Sequence, residues 1–281
     1  MAIFGLACEP PALEAPQAIE SGEVNMEPNH RNLFIIGGGS RPDHMMEYML
    51  QNAMLHNGRI VVLPWASSEP DTSYFYFQKQ LDRIGNFPST PMLKRPSELT
   101  EEDANVIRNA GLIYITGGDQ SRFMAAIDSS NAKEWIHQAH TAGCCVAGTS
   151  AGAAMMSEVM ITGDENFESE YHSTYRQIRP GNGIYNTGLG LLENAIVDQH
   201  FIARSRYNRL LSAVCEYSGK WGFGIEESTA LWVRPDTVEV VGDHQVFVVE
   251  PAEDIRRDSI NFGVSDINVH LLMPGDKMVF K

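Results

Sequence analysis

The chain has 281 residues, of which 43% are hydrophobic and 20% are charged, a composition typical of an ordinary globular protein. No apolar run in the sequence is long enough to span a membrane. The formal net charge of −15 argues against a nucleic-acid-binding surface, which needs clustered basic residues.

Residues 1–31 differ in composition from the rest of the chain. An apolar start ends at Cys8, and an acidic, Pro-rich stretch typical of a tether follows. The pattern is similar to the end of a bacterial lipoprotein signal with lipidation at Cys8, but it lacks a basic n-region and its apolar part is short. Two interpretations stay open: the remnant of an export signal, in a lipid-anchored or secreted protein, or an accidental match in a cytoplasmic one. We therefore predict a signal remnant or disordered tether over 1–31 and a single α/β domain over 32–281.

From residue 32 onward, apolar strands alternate with amphipathic helices. In chain order the first half is predicted to contain strand 32–39, helix 42–58, strand 59–67, helix 72–86, strand 89–95, helix 97–111 and strand 112–120. Gly58 is expected to close the first helix. The third helix has cap signals at both ends, with Ser97 or Thr100 before its acidic first turn and Gly111 after it.

The second half continues this alternation and then changes to antiparallel strands. It is predicted to contain helix 131–143, strand 144–150, helix 151–161, strand 195–201, helix 205–219, strand 221–228 and antiparallel strands over 229–251. Near-continuously apolar strands that alternate with helices indicate a doubly wound, mostly parallel α/β sheet, here with a few antiparallel strands near the C-terminus. In such sheets ligands bind outside the carboxyl ends of the strands, so strand-end residues are the first candidates for a site.

Ser150 is the candidate nucleophile. It lies in a G-x-S-x-G motif over residues 148–152, between a predicted strand and a predicted helix. In this motif the Ser occupies a strained strand-to-helix turn that exposes its hydroxyl. The alternative is that the small residues only allow a helix to pack closely against the sheet.

His200 is the candidate base, because a Ser hydroxyl needs a base and this His ends an apolar strand beside Gln199. The base in turn needs an orienting acid. Glu226 and Glu227 both end a later strand, and since adjacent strand residues face opposite ways, only one of them reaches the site easily. Asp198 is the competing acid.

The oxyanion of a reacting carbonyl needs preorganised backbone donors. The amide of Ala151 is one candidate, and Gly117 or Gly118 supplies the second, of which we take Gly118. The triple glycine over 37–39 lacks the spacing of a phosphate-binding loop, so we interpret it as a close-approach turn beside the site.

No metal or other cofactor is expected. His137 and His140 lie three residues apart on a predicted helix, but no carboxylate follows at ligand spacing. The four cysteines are scattered along the sequence, so we do not expect a disulfide framework.

Three arginines, Arg204, Arg206 and Arg209, fall within six residues directly after the candidate base. The commoner meaning of such a cluster is a solvated helix face that pairs with surrounding acids. The alternative is that the guanidinium groups bind substrate carboxylates, whose geometry they match in bidentate pairs.

Four motifs in order, T-G-G-D-Q, G-T-S-A-G-A, D-Q-H-F-x-x-R-x-R-x-x-R-L and G-I-E-E-S-T-A-L, resemble the cyanophycinases of the dipeptidase E-like serine peptidases over roughly residues 32–250. The resemblance implies a class I glutamine-amidotransferase-like, flavodoxin-related fold. It also implies hydrolysis of cyanophycin, a polyaspartate with arginine joined to each β-carboxyl, to β-Asp-Arg dipeptides. It places the nucleophile at Ser150, the base at His200 and the acid at Glu227.

The resemblance also implies a set of substrate-binding residues: Gln120, Asp198, Gln199, Arg204, Arg206 and Arg209. The arginines would hold carboxylates, and acids such as Asp198 would hold the substrate guanidinium. The expected partners are therefore cyanophycin or short β-Asp-Arg-containing peptides and no nucleic acid, and we also consider a homodimer.

This chain departs from the family pattern in two places. The family more often has G-I-D-E where residues 224–227 read G-I-E-E, and the segment 165–186 is longer and more aromatic than expected, which suggests a lid or a specificity loop. Two alternative functions remain: a dipeptidase of the same superfamily that acts on short Asp-X peptides, and a non-catalytic binding protein of the same fold.

Overall fold

The computed structural model describes residues 31–280, apart from 54, 56–58, 86, 88–90, 94 and 169. The predicted tether over 1–31 therefore lies outside the described residues except for Arg31, and so does Gly58. In the described part the α-helices are α1 Asp43–Asn52, α2 Pro70–Ile84, α3 Glu101–Arg108, α4 Gln120–Ile127, α5 Ala132–Thr141, α6 Ala151–Ala154 and α7 Tyr207–Glu216. Among these helices, none is both long enough and apolar enough to cross a lipid bilayer.

The strands of the described part fall into four sheets. They are β1 Leu33–Ile36, β2 Arg59–Leu63, β3 Ala110–Ile115, β4 Cys145–Thr149, β5 Val159–Glu165, β6 Gly183–Thr187, β7 Ala195–Gln199, β8 Trp221–Ile225, β9 Thr229–Arg234, β10 Thr237–Gly242, β11 Val246–Val249, β12 Arg256–Arg257, β13 Phe262–Gly263, β14 Val269–Leu272 and β15 Lys277–Val279. A short 3-10 turn spans Pro96–Glu98.

The main sheet has the strand order β15-β10-β9-β1-β4-β3-β2. Its strands β1, β4, β3 and β2 are parallel, and β9, β10 and β15 extend it in antiparallel fashion. The predicted α/β class, with antiparallel strands near the C-terminus, is confirmed. The sequence did not indicate that β7 and β8 pair in parallel within a separate sheet of order β14-β11-β8-β7.

Alternate residues of the parallel strands enter two separate apolar clusters. Along β1, Leu33 and Ile35 belong to one cluster, whereas Phe34 and Ile36 belong to the other. Helices α3, α4 and α5 cover the first cluster, and α1 and α2 cover the second. Because both faces are covered, the parallel strands are continuously apolar rather than alternating in polarity.

The predicted helix over 151–161 is wrong beyond its first turn. Helix α6 ends at Ala154, and β5 begins at Val159 and pairs with β6. Val159, Ile161 and Thr162 are β-branched and fit a strand, but a short apolar run does not distinguish helix from strand by its periodicity. This difference brings β5 beside the site.

Two further elements differ from the prediction. Helix α4 was not predicted; Asp119 caps it by accepting a hydrogen bond from the amide of Arg122. In the described residues, the predicted strand 89–95 is reduced to one bridge between Met92 and Val62. Of the two N-cap candidates of α3, Thr100 is the cap and forms a capping box with Asp103, whereas Gly111 lies inside β3 and does not end the helix.

Candidate active site

Ser150 lies in a sharp turn between β4 and α6. Its backbone has φ 53° and ψ −110°, a conformation that residues other than glycine rarely adopt. The flanking glycines are required for close approach, since a Cβ at Gly148 would lie 2.4 Å from the carbonyl oxygen of Gly152. This strained turn is the geometry that G-x-S-x-G predicts, and it leaves the Ser hydroxyl at the carboxyl end of β4.

Ser150, His200 and Glu227 form one hydrogen-bonded chain. Oγ of Ser150 lies 2.8 Å from Nε2 of His200, and Nδ1 of His200 lies 2.5 Å from Oε1 of Glu227. The last residues of β7 and β8, Gln199 and Ile225, are paired in register, so the residues that follow them emerge at the same sheet edge. This arrangement can remove the Ser proton and stabilise the imidazolium that results.

The triple glycine over 37–39 packs directly against this chain. A Cβ at Gly38 would lie 2.4 Å from Cε1 of His200, and a Cβ at Gly39 would lie 2.7 Å from Cβ of Glu227. The carbonyl of Gly37 accepts a hydrogen bond of 2.7 Å from the amide of His200. The glycines therefore form the expected close-approach turn, which packs against His200 and Glu227.

His200 is largely buried, with its side chain 10% exposed. Burial lowers the pKa of its imidazole below the ordinary value, and the positive charge of Arg204 acts in the same direction, whereas the hydrogen bond to Glu227 opposes the shift. The imidazole is consequently neutral at neutral pH, which is the form that can accept a proton from Ser150.

The two other candidate acids have different partners. The buried carboxylate of Glu226 accepts hydrogen bonds from the amides of Ile202 and Ala203, in the turn that follows His200. Asp198 is buried and forms a bidentate ion pair with Arg209, in which Nε of Arg209 lies 2.7 Å from Oδ2 of Asp198. Of the three acids, Glu227 is the one that contacts the His200 ring.

The oxyanion-hole candidates lie next to Ser150, the candidate nucleophile. A Cβ at Gly117 would lie 3.4 Å from Cβ of Ser150, and Gly118 lines the same cavity as Ser150. Ala151 is the first residue of α6, so its amide follows directly after Ser150. Gly118 has φ 140°, and a Cβ there would lie 2.1 Å from the carbonyl oxygen of Ala66, so this position requires glycine.

A cavity of about 270 Å³ opens beside Ser150, and its wall is mainly polar. It is lined by Gly118, Asp119, Gln120, Ser121, Ser150, Thr162, Asp164, Tyr171, Gln199, Arg204, Arg206 and Arg209. The structure therefore brings together at one cavity all of the expected substrate-binding residues except Asp198, which lies beneath its wall.

Two of the three arginines are buried, so the cluster is not a solvated helix face. Arg206 donates to the carbonyls of Gln199 and Ser173, at 2.7 Å and 3.0 Å. Burial, followed by the charge of Arg209, lowers the pKa of Arg206 to about 10. Burial also acts to lower the pKa of Arg209. The charge and the hydrogen bond of Asp198 outweigh burial, so the pKa of that guanidinium is raised. Both groups remain charged at neutral pH.

This placement changes the role expected for Asp198. Its carboxylate is occupied by Arg209 and lies 3.6 Å from Nη1 of Arg206, so it supports the arginines instead of facing a substrate guanidinium. Arg204 is exposed at the cavity, and no ion pair engages it within the described ranges. Arg204 is therefore the arginine best placed to contact a carboxylate directly.

The two glutamines face the cavity in different ways. The amide oxygen of Gln199 lies 3.5 Å from Oγ of Ser150. Nε2 of Gln120 donates to the carbonyls of Ile161 and Thr162, at 3.0 Å and 2.8 Å, and so ties α4 to β5. Gln120 consequently shapes the cavity wall in addition to lining it.

Sequence reasoning missed five lining residues, Asp119, Ser121, Thr162, Asp164 and Tyr171. Thr162 and Asp164 belong to β5, which was not predicted. Tyr171 lies in the aromatic segment 165–186 that the sequence did single out, and its hydroxyl accepts a hydrogen bond of 3.4 Å from Nη2 of Arg206. That segment therefore contributes directly to the cavity wall.

No group of three or more His, Cys, Asp or Glu side chains suited to a metal ion occurs among the described residues. The two histidines considered from the sequence both face backbone carbonyls. Nε2 of His137 lies 2.7 Å from the oxygen of Leu189, and Nδ1 of His140 lies 3.3 Å from that of Cys144. Each of the two rings therefore already has a backbone carbonyl as a hydrogen-bond partner.

The model of peptidase family S51 matches residues 33–241 of this chain. The chain belongs to peptidase family S51. It is therefore a serine peptidase, and the resemblance to the dipeptidase E-like peptidases that the motifs indicated is confirmed.

Relatives of this S51 peptidase include proteins named cyanophycinase. Those of Trichormus variabilis and Synechococcus elongatus are each 30% identical to it, over 259 and 271 residues. The matches cover 87% and 91% of this chain, and 84% and 81% of the relatives.

Solved structures agree with the S51 assignment at the level of the fold. A peptidase from an acI-B1 actinobacterium has a TM-score of 0.65 and 23% identity, and the match covers 90% of this chain and 98% of that one. A putative peptidase E protein from Listeria monocytogenes has a TM-score of 0.52 and 17% identity, covering 75% and 98%. These neighbours are consistent with the predicted flavodoxin-related architecture.

Proposed function

We propose that this serine peptidase is an exopeptidase that hydrolyses cyanophycin to β-Asp-Arg dipeptides through an acyl-enzyme. The observation that carries the proposal is the position of the Ser150 hydroxyl, which contacts His200 and lines an arginine-rich cavity. Relatives named cyanophycinase, 30% identical over most of the chain, support the choice of substrate.

In the proposed first step, Nε2 of His200 takes the Ser150 proton while Oγ attacks the scissile carbonyl carbon. The C–N bond then breaks, and the leaving amine receives the proton from His200. Glu227 holds the imidazole by accepting from Nδ1 throughout. The amides of Ala151 and Gly118 are the proposed oxyanion donors, each worth roughly 10²–10³ in kcat for a well-placed donor. Water, deprotonated by His200, then attacks the acyl carbon; the ester bond to Oγ of Ser150 breaks, and Oγ takes the proton back from His200.

Charge in the cavity suits a substrate that carries both signs. The guanidinium of Arg204 is free of ion pairs in the described part of the chain and can bind a substrate carboxylate in bidentate fashion. Arg206 and Arg209 add positive charge behind it. Asp119 and Asp164 lie exposed on the same wall and are the proposed contacts for the substrate guanidinium, in place of Asp198.

One observation favours an aspartyl dipeptidase as the second candidate. Arg206 and Arg209 donate most of their hydrogen bonds to acceptors within the protein. Fewer arginines are therefore free to contact the substrate than the family resemblance implied. A dipeptidase that cuts short Asp-X peptides needs fewer such contacts.

The test is incubation of the purified protein with cyanophycin and, separately, with a set of Asp-X dipeptides, followed by mass spectrometry of the soluble products. We expect β-Asp-Arg from the polymer and little cleavage of the dipeptides. Intact polymer together with rapid dipeptide hydrolysis would replace the first proposal with the second.

A further inference from the structure

A second and larger cavity, of about 750 Å³, lies one strand farther along the edge of the sheet that carries Ser150. Its volume is within the range typical of small-molecule sites. The parallel order β4-β3-β2 places the residues after β2, such as Ser67, beside the loop that follows β3. The cavity thus occupies the carboxyl edge of the parallel strands, where ligands bind in open α/β sheets.

A thin wall separates the two cavities. The carbonyl oxygen of Ala66 accepts from the amide of Asp119 at 2.9 Å and from Nη1 of Arg122 at 3.0 Å, and a Cβ at Gly118 would lie 2.1 Å from it. Gly118 and Asp119 line the catalytic cavity, whereas Arg122 lines the larger one. A chain that leaves the catalytic cavity over this loop enters the larger cavity next.

The larger cavity carries charges of both signs. Arg95 and Arg122 supply two guanidinium groups, and Asp71 and Glu98 supply two carboxylates. Within the described residues, no ion pair engages any of these four charges. Unpaired charges of both signs around one cavity match a zwitterionic ligand, whose carboxylate and guanidinium each find a partner.

We infer that the larger cavity binds a second β-Asp-Arg unit of cyanophycin, remote from the bond that is cut. This inference rests on the proposed function. Every unit of that polymer carries one carboxylate and one guanidinium, so a chain held at Ser150 has identical units within reach of Arg95 and Arg122. Binding at a second point raises the affinity for the polymer but not for a substrate too short to reach it.

The test compares steady-state kinetics on soluble cyanophycin and on the two-unit fragment (β-Asp-Arg)2. Ala126→Trp fills the cavity from α4, and Arg95→Glu reverses one of its exposed charges. Each variant is expected to raise KM for the polymer about tenfold with kcat unchanged, because the lost contact is made equally in the ground and transition states. Cleavage of the two-unit fragment should stay within about twofold of the wild type.

Arg59→Glu is the matched control, since Arg59 is also exposed but starts β2 at the opposite end of the strand. Its KM and kcat should match those of the wild type on both substrates. If both cavity variants cleave the polymer with the wild-type KM, or lose activity on both substrates equally, the second binding site is refuted while the proposed function stands. A wild-type protein that leaves the polymer intact refutes the proposed function, and the inference falls with it.

Discussion

Oε1 of Glu227 lies 2.5 Å from Nδ1 of His200, while the carboxylate of the adjacent Glu226 accepts hydrogen bonds from the amides of Ile202 and Ala203. Two neighbouring acids at one strand end thus have separate tasks. One contacts the imidazole of His200, and the other holds the turn that follows this residue.

This division predicts different outcomes for two matched substitutions. Glu227→Gln should lower kcat by about 10³- to 10⁴-fold, because an amide cannot fix the imidazole tautomer or stabilise the imidazolium. Glu226→Gln keeps an oxygen acceptor for the two amides, so it should lower the free energy of unfolding by about 1 kcal/mol or less. Its kcat should stay close to that of the wild type. Measured kcat values on one substrate decide the question. If Glu227→Gln proved harmless and Asp198→Asn alone abolished activity, Asp198 would have to replace Glu227 as the acid.

The pH profile should report the buried environment of His200. Only the neutral imidazole accepts the Ser150 proton, so kcat/KM falls as the pH drops through the pKa of this group. Burial lowers that pKa from the ordinary value of 6.5, and the acid limb should therefore have its midpoint below pH 6.5. Glu227→Gln removes an influence that raises the pKa, so the residual activity should show a midpoint shifted further toward acid. An acid limb centred above 6.5 would contradict this assignment of the base.

Arg204 and Arg209 should differ in what their substitution changes. Arg204→Gln removes an exposed contact and should lower kcat/KM about tenfold to hundredfold, with Tm unchanged. Arg209→Gln leaves the buried carboxylate of Asp198 without its partner and should destabilise the fold by about 3–5 kcal/mol. Kinetics and thermal melting of both variants test this difference. Unchanged kcat/KM in Arg204→Gln would shift the proposal toward a general dipeptidase.

The glycine turn behind His200 can be tested with a paired substitution. A Cβ at Gly38 would lie 2.4 Å from the imidazole, and φ at this residue is 109°. Gly38→Ala should displace the ring and lower kcat by about tenfold or more, because base and nucleophile act as a unit. Gly219 has φ 84°, and a Cβ there would meet nothing within 4 Å, so Gly219→Ala applies similar backbone strain without the contact. Equal kcat values in the two variants would show that the contact between Gly38 and His200 does not matter for catalysis.

The strand-to-helix turn at Ser150 and the position of His200 at a strand end could be predicted because both depend on local sequence. A strand, a turn of glycines and a helix are encoded within a few residues, and the alternating pattern puts strand ends at one edge. The choice between Glu226 and Glu227 could not be made from strand alternation alone, since that rule says only that they face opposite ways.

The burial of Arg206 and Arg209 was beyond sequence reasoning for a different reason. Their acceptors include the carbonyl of Ser173, in a segment more than thirty residues away that has no regular secondary structure. The same segment supplies Tyr171 to the cavity. Contacts of this kind depend on how β5 and β6 place the loop between them, and the first residues of β5 were predicted as the end of a helix.

The most direct test of the account is the rate of soluble dipeptide release from purified cyanophycin by the wild-type protein and by Ser150→Ala. The wild type should release β-Asp-Arg, and the variant should be slower by several orders of magnitude while its thermal melting matches that of the wild type, because removing the nucleophile disables the whole Ser–His–Glu unit. A correctly folded Ser150→Ala protein that still releases β-Asp-Arg at a rate near that of the wild type would contradict the serine mechanism.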